Sequence, residues 1–256
     1  MIDPRAIVEP GAKVADGVKI GPWSYIGNDV EIGEGTEIAS HTVIKGPTVI
    51  GKHNRIFQFS TIGEECQDKK YAGEATRLEI GDHNVFREGC TVHRGTVQDE
   101  SLTKIGSHNL FMVNTHVAHD CMVGDNIIMA NNAAIAGHVH VGDYAILGGF
   151  TAVHQFCHIG SHVMCGAGTV VIKDVPDYVM ATGNPASPHG INAEGLKRRG
   201  FTPEGVRAIR NAYKTIYRQK LTVEQAIAEL EAKEGEFSEL TVMINFLKNA
   251  TRGIIR

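Results

Sequence analysis

The sequence predicts a mainly β chain: a parallel β-helix of hexapeptide repeats over residues 1–186, with loops at 63–79 and 94–104, then a C-terminal helical domain over 187–256. Three observations predict it. Apolar residues recur at every sixth position through most of the chain, glycine is frequent (29 residues), and the period gives way near Val171 to a pattern carrying helix-start signals.

Stepping by six from Ile2 gives Val8, Val14, Ile20, Ile26, Ile32, Ile38, Ile44, Ile50, Ile56 and Ile62. The same phase returns at Ile80, Phe86 and Val92, then shifts by one residue and runs from Ile105 through Phe111, Val117 and Val123 to Val171. Period six fits neither a 3.6-residue helix nor two-residue strand alternation. Short strands separated by sharp corners fit it, each coil buried by the coils above and below. In the hexapeptide-repeat family, which this period resembles, three hexads make one triangular turn and the coil is left-handed. The resemblance carries both features, since spacing alone does not set handedness.

The two interruptions, 63–79 and 94–104, are polar excursions, and loops on a rigid scaffold are favoured places for binding residues. After Val171, Lys173–Tyr178 and Gly183–Ala186 form a transition. Pro203 after Thr202 suits a helix start and predicts a helix over 203–218. Thr222-Val223-Glu224-Gln225 resembles a capping box opening a second helix, and a third is expected at about 239–249. Such helices would cover the last coil edge, which otherwise exposes unpaired backbone.

Composition narrows the function. A net charge of −4 argues against wholesale nucleic-acid binding. No apolar run reaches the ~18 residues of a membrane span, and Met1-Ile2-Asp3-Pro4-Arg5 lacks the build of a signal peptide. Five cysteines without a CxxC pair predict reduced thiols and a cytoplasmic chain.

Ten of the 13 histidines lie between residues 83 and 162. On an 18-residue turn His119 stacks beside Gly137 with Gln155 one turn further, and Asp120 stacks beside His138. His116 joins them on a non-core phase, gathering His116, His119, Asp120, His138 and Gln155 on one exposed patch. A base beside a residue without a Cβ suits acyl transfer, the imidazole taking a proton and an open amide facing the oxyanion. Solvated imidazoles are the plain alternative for any single histidine. A zinc site with convergent histidines is another, although no two histidines here are five residues apart, as two of the ligands are in hexapeptide carbonic anhydrases.

Asn114–Cys121, with Gln67-Asp68, Tyr71–Glu74, His93–Thr96, Ala136–Val139, Val153–Phe156 and Glu194–Phe201, resembles the UDP-N-acetylglucosamine O-acyltransferase family, which opens lipid A synthesis. The resemblance covers essentially the whole chain; Ala75-Thr76 departs from a Pro-Thr often found there. It implies transfer of an (R)-3-hydroxyacyl group from acyl carrier protein to the 3-hydroxyl of UDP-N-acetylglucosamine, with no cofactor and no metal. His119 would be the general base, Asp120 would orient it, and the Gly137 amide would meet the oxyanion. Asp68, His116 and His138 would hold the sugar, with Lys70, His93, His154 and Gln155 nearby. Asn192, Glu194, Arg198 and Arg199 would meet the nucleotide end. Ala167 matches the position where relatives set acyl length, and a homotrimer would place the site between neighbouring prisms.

From Lys197 to Lys220 there are eight basic residues and one acidic, Glu204, a surface suited to the acidic acyl carrier protein. Two non-zinc alternatives stay open at this level. A related N-acyltransferase of the same pathway carries an extra N-terminal domain, for which a period starting at Ile2 leaves no room. A non-catalytic hexapeptide scaffold explains the period, but neither the loops nor the histidine cluster.

Overall fold

Three sheets of nine, eight and ten strands, parallel but for one terminal hairpin, wrap into a left-handed triangular β-helix in the computed structural model, which describes residues 1–232, 235 and 237–256. Most strands are two residues long, because a hexad leaves room for a strand and a corner and nothing more. Ile7 lies opposite Tyr25, Lys13 opposite Glu31 and Lys19 opposite Glu37, so each sheet repeats every 18 residues. The apolar hexad residues therefore stack in columns. From Ile20 to Val171 none of them is more than 4% exposed. Burying one such side chain stabilises by about 1.5–3 kcal/mol, and a polar substitution at any of them would face only apolar neighbours. In the first coil Ile2 stays 46% exposed.

Corners are held by polar side chains that stand in for backbone partners. At one corner column the carboxylates of Asp82, Asp125, Asp143 and Asp177 accept from the backbone N–H of Lys52, Ser107, Asp125 and Ser161 at 2.6–2.8 Å. Asp120 and His138 sit at a different corner in the left-handed backbone region, φ +58° and +61°. That conformation is uncommon for residues with a Cβ.

Both loops are shorter than the sequence predicts. Strands Thr61–Glu64 and Arg77–Ile80 bracket a loop of residues 65–76, and strands Thr91–His93 and Leu102–Ile105 bracket one of residues 94–101. Backbone pairing of Leu78 with Thr48 and of Leu102 with Arg77 draws the loop ends into the second sheet. Both loops leave at the corner between the first and second sheets. The coil then resumes in register, Ile62 opposite Val92 and Val92 opposite Val117.

The third sheet continues past residue 186 through an antiparallel hairpin, Val179–Thr182 with Ser187–Ile191. A short helix not anticipated from the sequence, α1 (Ala193–Arg198), follows; the Asn192 side chain caps it by accepting from Gly195 N. Helix α2 (Pro203–Arg218) starts at the expected proline. Helix α3 (Val223–Glu231) has the expected reciprocal Thr222–Gln225 capping box. Helix α4 spans Ser238–Asn249. The chain end returns to the coil: Ile254 bridges to Asp174, and Ile254 and Ile255 are 3% and 2% exposed. Among the described residues, no helix is long and apolar enough to cross a membrane.

Candidate active site

Strand His116–Val117 of the first sheet ends at the corner that carries His119 and Asp120. The Asp120 carboxylate is fully buried. Its Oδ1 accepts from Thr96 N at 2.7 Å, and its Oδ2 accepts from Thr96 Oγ1 at 2.6 Å and faces His119 Nδ1 at 2.8 Å. Burial pushes the Asp120 carboxyl up, but the hydrogen bonds from His119 and Thr96 outweigh it and hold it below its ordinary value. Asp120 is thus an acceptor, so His119 Nδ1 carries the proton and Nε2 presents its lone pair.

Gly137 lies one coil further along the same corner column. A Cβ there would sit 2.4 Å from His119 Cε1 and 2.6 Å from Nε2, so the imidazole occupies the space a side chain would take. The Gly137 N–H has no hydrogen-bond acceptor among the described residues. A free donor and a free imidazole nitrogen thus lie side by side, the pairing that acyl transfer needs.

His119 and Gly137 line a cleft of about 680 Å³ with Asp68, Lys70, His93, His116 and Gln155. The 65–76 loop forms one wall with Gln67, Asp68, Lys69 and Lys70, and the apolar floor comes from Ala118, Ala134, Ile135, Ala152 and Val153. His116 Nδ1 pairs with Thr91 Oγ1 at 2.8 Å, and burial, reinforced by His93 and His119, pushes its pKa down to about 4. Burial likewise lowers His93, which stands edge-on to His116 with ring centres 4.9 Å apart. His116 is therefore a neutral hydrogen-bonding group at physiological pH.

His138 does not line the cleft. Its ring lies flat on Phe156, centroids 4.3 Å apart, with Nδ1 2.9 Å from Asp99 Oδ2 and Nε2 3.7 Å from Asp120 Oδ2. Packing on Phe156 and the pairing with Asp99 accompany this direction, which stacking order alone does not specify. Besides the buried Asp120, six further expected residues also lie outside the cleft of a single chain. His154 is exposed and its Nδ1 lies 3.1 Å from Gln155 O. Asn192 caps α1 and its Nδ2 donates to His162 O at 3.0 Å. Glu194 pairs with Lys197 at 3.0 Å, Arg198 is exposed, and the Arg199 guanidinium lies 5.0 Å over the Tyr144 ring. Ala167 is exposed, at the corner between the third and first sheets.

Among the described residues, His119, Asp120 and His138 form the one group able to approach a cation together, their ligand atoms lying within 4.8 Å. The shared Asp120 Oδ2 already accepts from Thr96 and His119, and the 2.8 Å gap to His119 Nδ1 is closer than two donors in a zinc tetrahedron stand. The residues as placed do not fit a metal. Reasoning from the sequence missed Thr96 and Asp99, which lie in a loop outside the period. It also missed Phe156, which the 18-residue step from His138 could have found.

Residues 11–46 match the family model described as bacterial transferase hexapeptide (six repeats). Residues 174–255 match the one described as Udp N-acetylglucosamine O-acyltransferase, domain 2. The acyl-[acyl-carrier-protein]–UDP-N-acetylglucosamine O-acyltransferase of Tolumonas auensis is 64% identical over 207 residues, 81% of this chain and 79% of that one. That of Aeromonas salmonicida is 61% identical over the same span and shares. The solved structure of LpxA from Acinetobacter baumannii superposes with a TM-score of 0.98 at 52% identity, covering 100% of this chain and 99% of that one.

Proposed function

Since the chain belongs to the UDP-N-acetylglucosamine O-acyltransferase family, and so is an acyltransferase, we propose that it moves an (R)-3-hydroxyacyl chain from acyl carrier protein to the 3-hydroxyl of UDP-N-acetylglucosamine by general-base catalysis. The relatives' activity, acyl transfer from the carrier to the nucleotide sugar in lipid A synthesis, comes to this chain on that membership.

The sugar hydroxyl gives its proton to His119 Nε2 as its oxygen attacks the thioester carbonyl carbon. The oxyanion of the tetrahedral intermediate faces the Gly137 N–H. Collapse breaks the carbon–sulfur bond, and the departing carrier thiolate takes the proton back from His119. A positioned base supplies roughly 10²–10⁴-fold and one oxyanion donor roughly 10²–10³-fold. The observation that carries the reading is the His119–Asp120 pair at 2.8 Å with Nε2 lying against Gly137.

Asp68, Lys70, His93, His116 and Gln155 meet the sugar, a reading that their lining of the cleft supports. Asn192, Glu194, Arg198 and Arg199 take the nucleotide end and Ala167 meets the acyl chain. These, with His154, reach the cleft from a neighbouring protomer of a homotrimer. On α2, exposed Arg207, Arg210, Lys214 and Arg218 recur at helical spacing and make one positive stripe for the acidic carrier. The reaction is placed in the cytoplasm, where the five free thiols stay reduced.

The test is acyl transfer by wild type and His119→Ala over a 3-hydroxyacyl carrier series. Activity that falls at least 10²-fold in a folded variant is expected. Wild-type inactivity on every chain length would refute the reaction, and an active His119→Ala would refute the base.

A further inference from the structure

The 94–101 loop touches the catalytic pair without lining the cleft. Thr96 gives the Asp120 carboxylate both of its non-histidine hydrogen bonds. Three residues later, Asp99 Oδ2 accepts from His138 Nδ1 at 2.9 Å, across 39 residues of sequence. His138 is buried, at 8% exposure, and its ring has close neighbours at one face, one edge and both nitrogens. Phe156 covers one face, the ring stands perpendicular to His119 with centroids 5.1 Å apart, and Nε2 is turned toward Asp120.

We propose that Asp99 is a positioning residue, and that the 94–101 loop is a brace gripping Asp120 through Thr96 and His138 through Asp99, so that the His119 ring is held from two directions. The inference rests on the acyltransferase reading. It assigns the two loops different work: Asp68 and Lys70 of the 65–76 loop face substrate, whereas Asp99 acts only through His138. Because its Nδ1 proton goes to Asp99, His138 is held in one tautomer and one ring orientation. Without that acceptor the ring can turn about its own axis and the perpendicular wall beside His119 is lost.

Asp99→Ala and Asp99→Asn, each in the full-length protein, test this. Carboxylates that orient metal-ligating histidines are worth about 10–100-fold, and the low end of that range is the measure for the same orienting contact here. Asp99→Ala is expected to lower kcat about tenfold with KM for UDP-N-acetylglucosamine unchanged within about twofold. Asp99→Asn, which keeps an acceptor oxygen, should recover most of that loss. Imidazole ¹⁵N spectra should show His138 protonated at Nδ1 in wild type and a tautomer mixture in Asp99→Ala. An unchanged kcat with unchanged His138 signals overturns the proposal, as does a rise in KM at constant kcat, which would put Asp99 on the substrate. If wild type transfers no acyl group, the acyltransferase reading fails on that ground, and the proposal with it. If Asp99→Ala does not fold, Asp99→Asn decides: an unperturbed His138 spectrum and kcat support the acceptor role, and a tenfold loss refutes it.

Discussion

Replacing Gly137 by alanine adds one methyl group at the point where the structure has least room. The new Cβ would lie 2.4 Å from His119 Cε1 and 2.6 Å from Nε2. Carbon atoms rest at about 3.5–4.0 Å, so the imidazole must retreat by roughly 1 Å. That retreat stretches or breaks the 2.8 Å contact with Asp120 and carries Nε2 away from the reacting hydroxyl. A displacement of about 1 Å can cost 10²-fold, equivalent to ~2.7 kcal/mol on the barrier. Backbone strain does not add to this, because Gly137 does not have a positive φ. Gly149 is the control: a Cβ there meets nothing nearer than Asn131 O at 3.4 Å. Turnover of 3-hydroxyacyl carrier protein and UDP-N-acetylglucosamine, followed by mass spectrometry, should fall about 10²-fold in Gly137→Ala and stay near wild type in Gly149→Ala. Gly137→Ala within twofold of wild type would refute the claim that this glycine makes room for the base.

Two further predictions follow from other parts of the chain. Asp177 is 3% exposed, its Oδ2 has no partner, and burial pushes its pKa up to about 7. A raised folded-state pKa means that the native state binds the extra proton, so this group's contribution is lost as pH rises from about 4 toward 7. Asp177→Asn removes that loss, and its melting temperature should exceed wild type's by more at pH 8 than at pH 5; an equal difference at both would sink the idea. Ala167→Gly should shift preference toward longer acyl chains in a competition among carrier substrates, because a wall made by one methyl group discriminates by overpacking, worth about 1–3 kcal/mol. An unchanged chain profile would remove Ala167 from length selection.

The coil was legible because every hexad asks the same thing of its apolar residue, so a single period accounts for the buried columns from Ile20 to Val171. The contact of His119 with Gly137 was legible for the same reason, since an 18-residue step translates directly into adjacency. What the period does not reach was hidden. Thr96 and Asp99 belong to a loop whose path depends on Asp120 accepting from Thr96 and on His138 donating to Asp99, a long-range condition with no local signature. The 18-residue step puts His138 beside Asp120, where it lies, but does not give its facing, because its ring packs on Phe156 and pairs with Asp99 of the loop, outside the cleft. Helix α1 is six residues long and relies on one Asn192 cap, too little periodicity for a sequence to advertise.

The two ends of the prism are unlike. Met1 and Ile2 are 93% and 46% exposed, whereas the other end is closed by the hairpin and the returning Ile254 and Ile255. In a stack where each coil touches only its neighbours, opening proceeds from the end with the fewest contacts. Among the described coils, fraying is therefore easiest at those nearest Met1 and hardest beside the helices. His119 lies several coils in from the fraying end, so the first coils can exchange their amide hydrogens with solvent while the catalytic pair keeps its geometry.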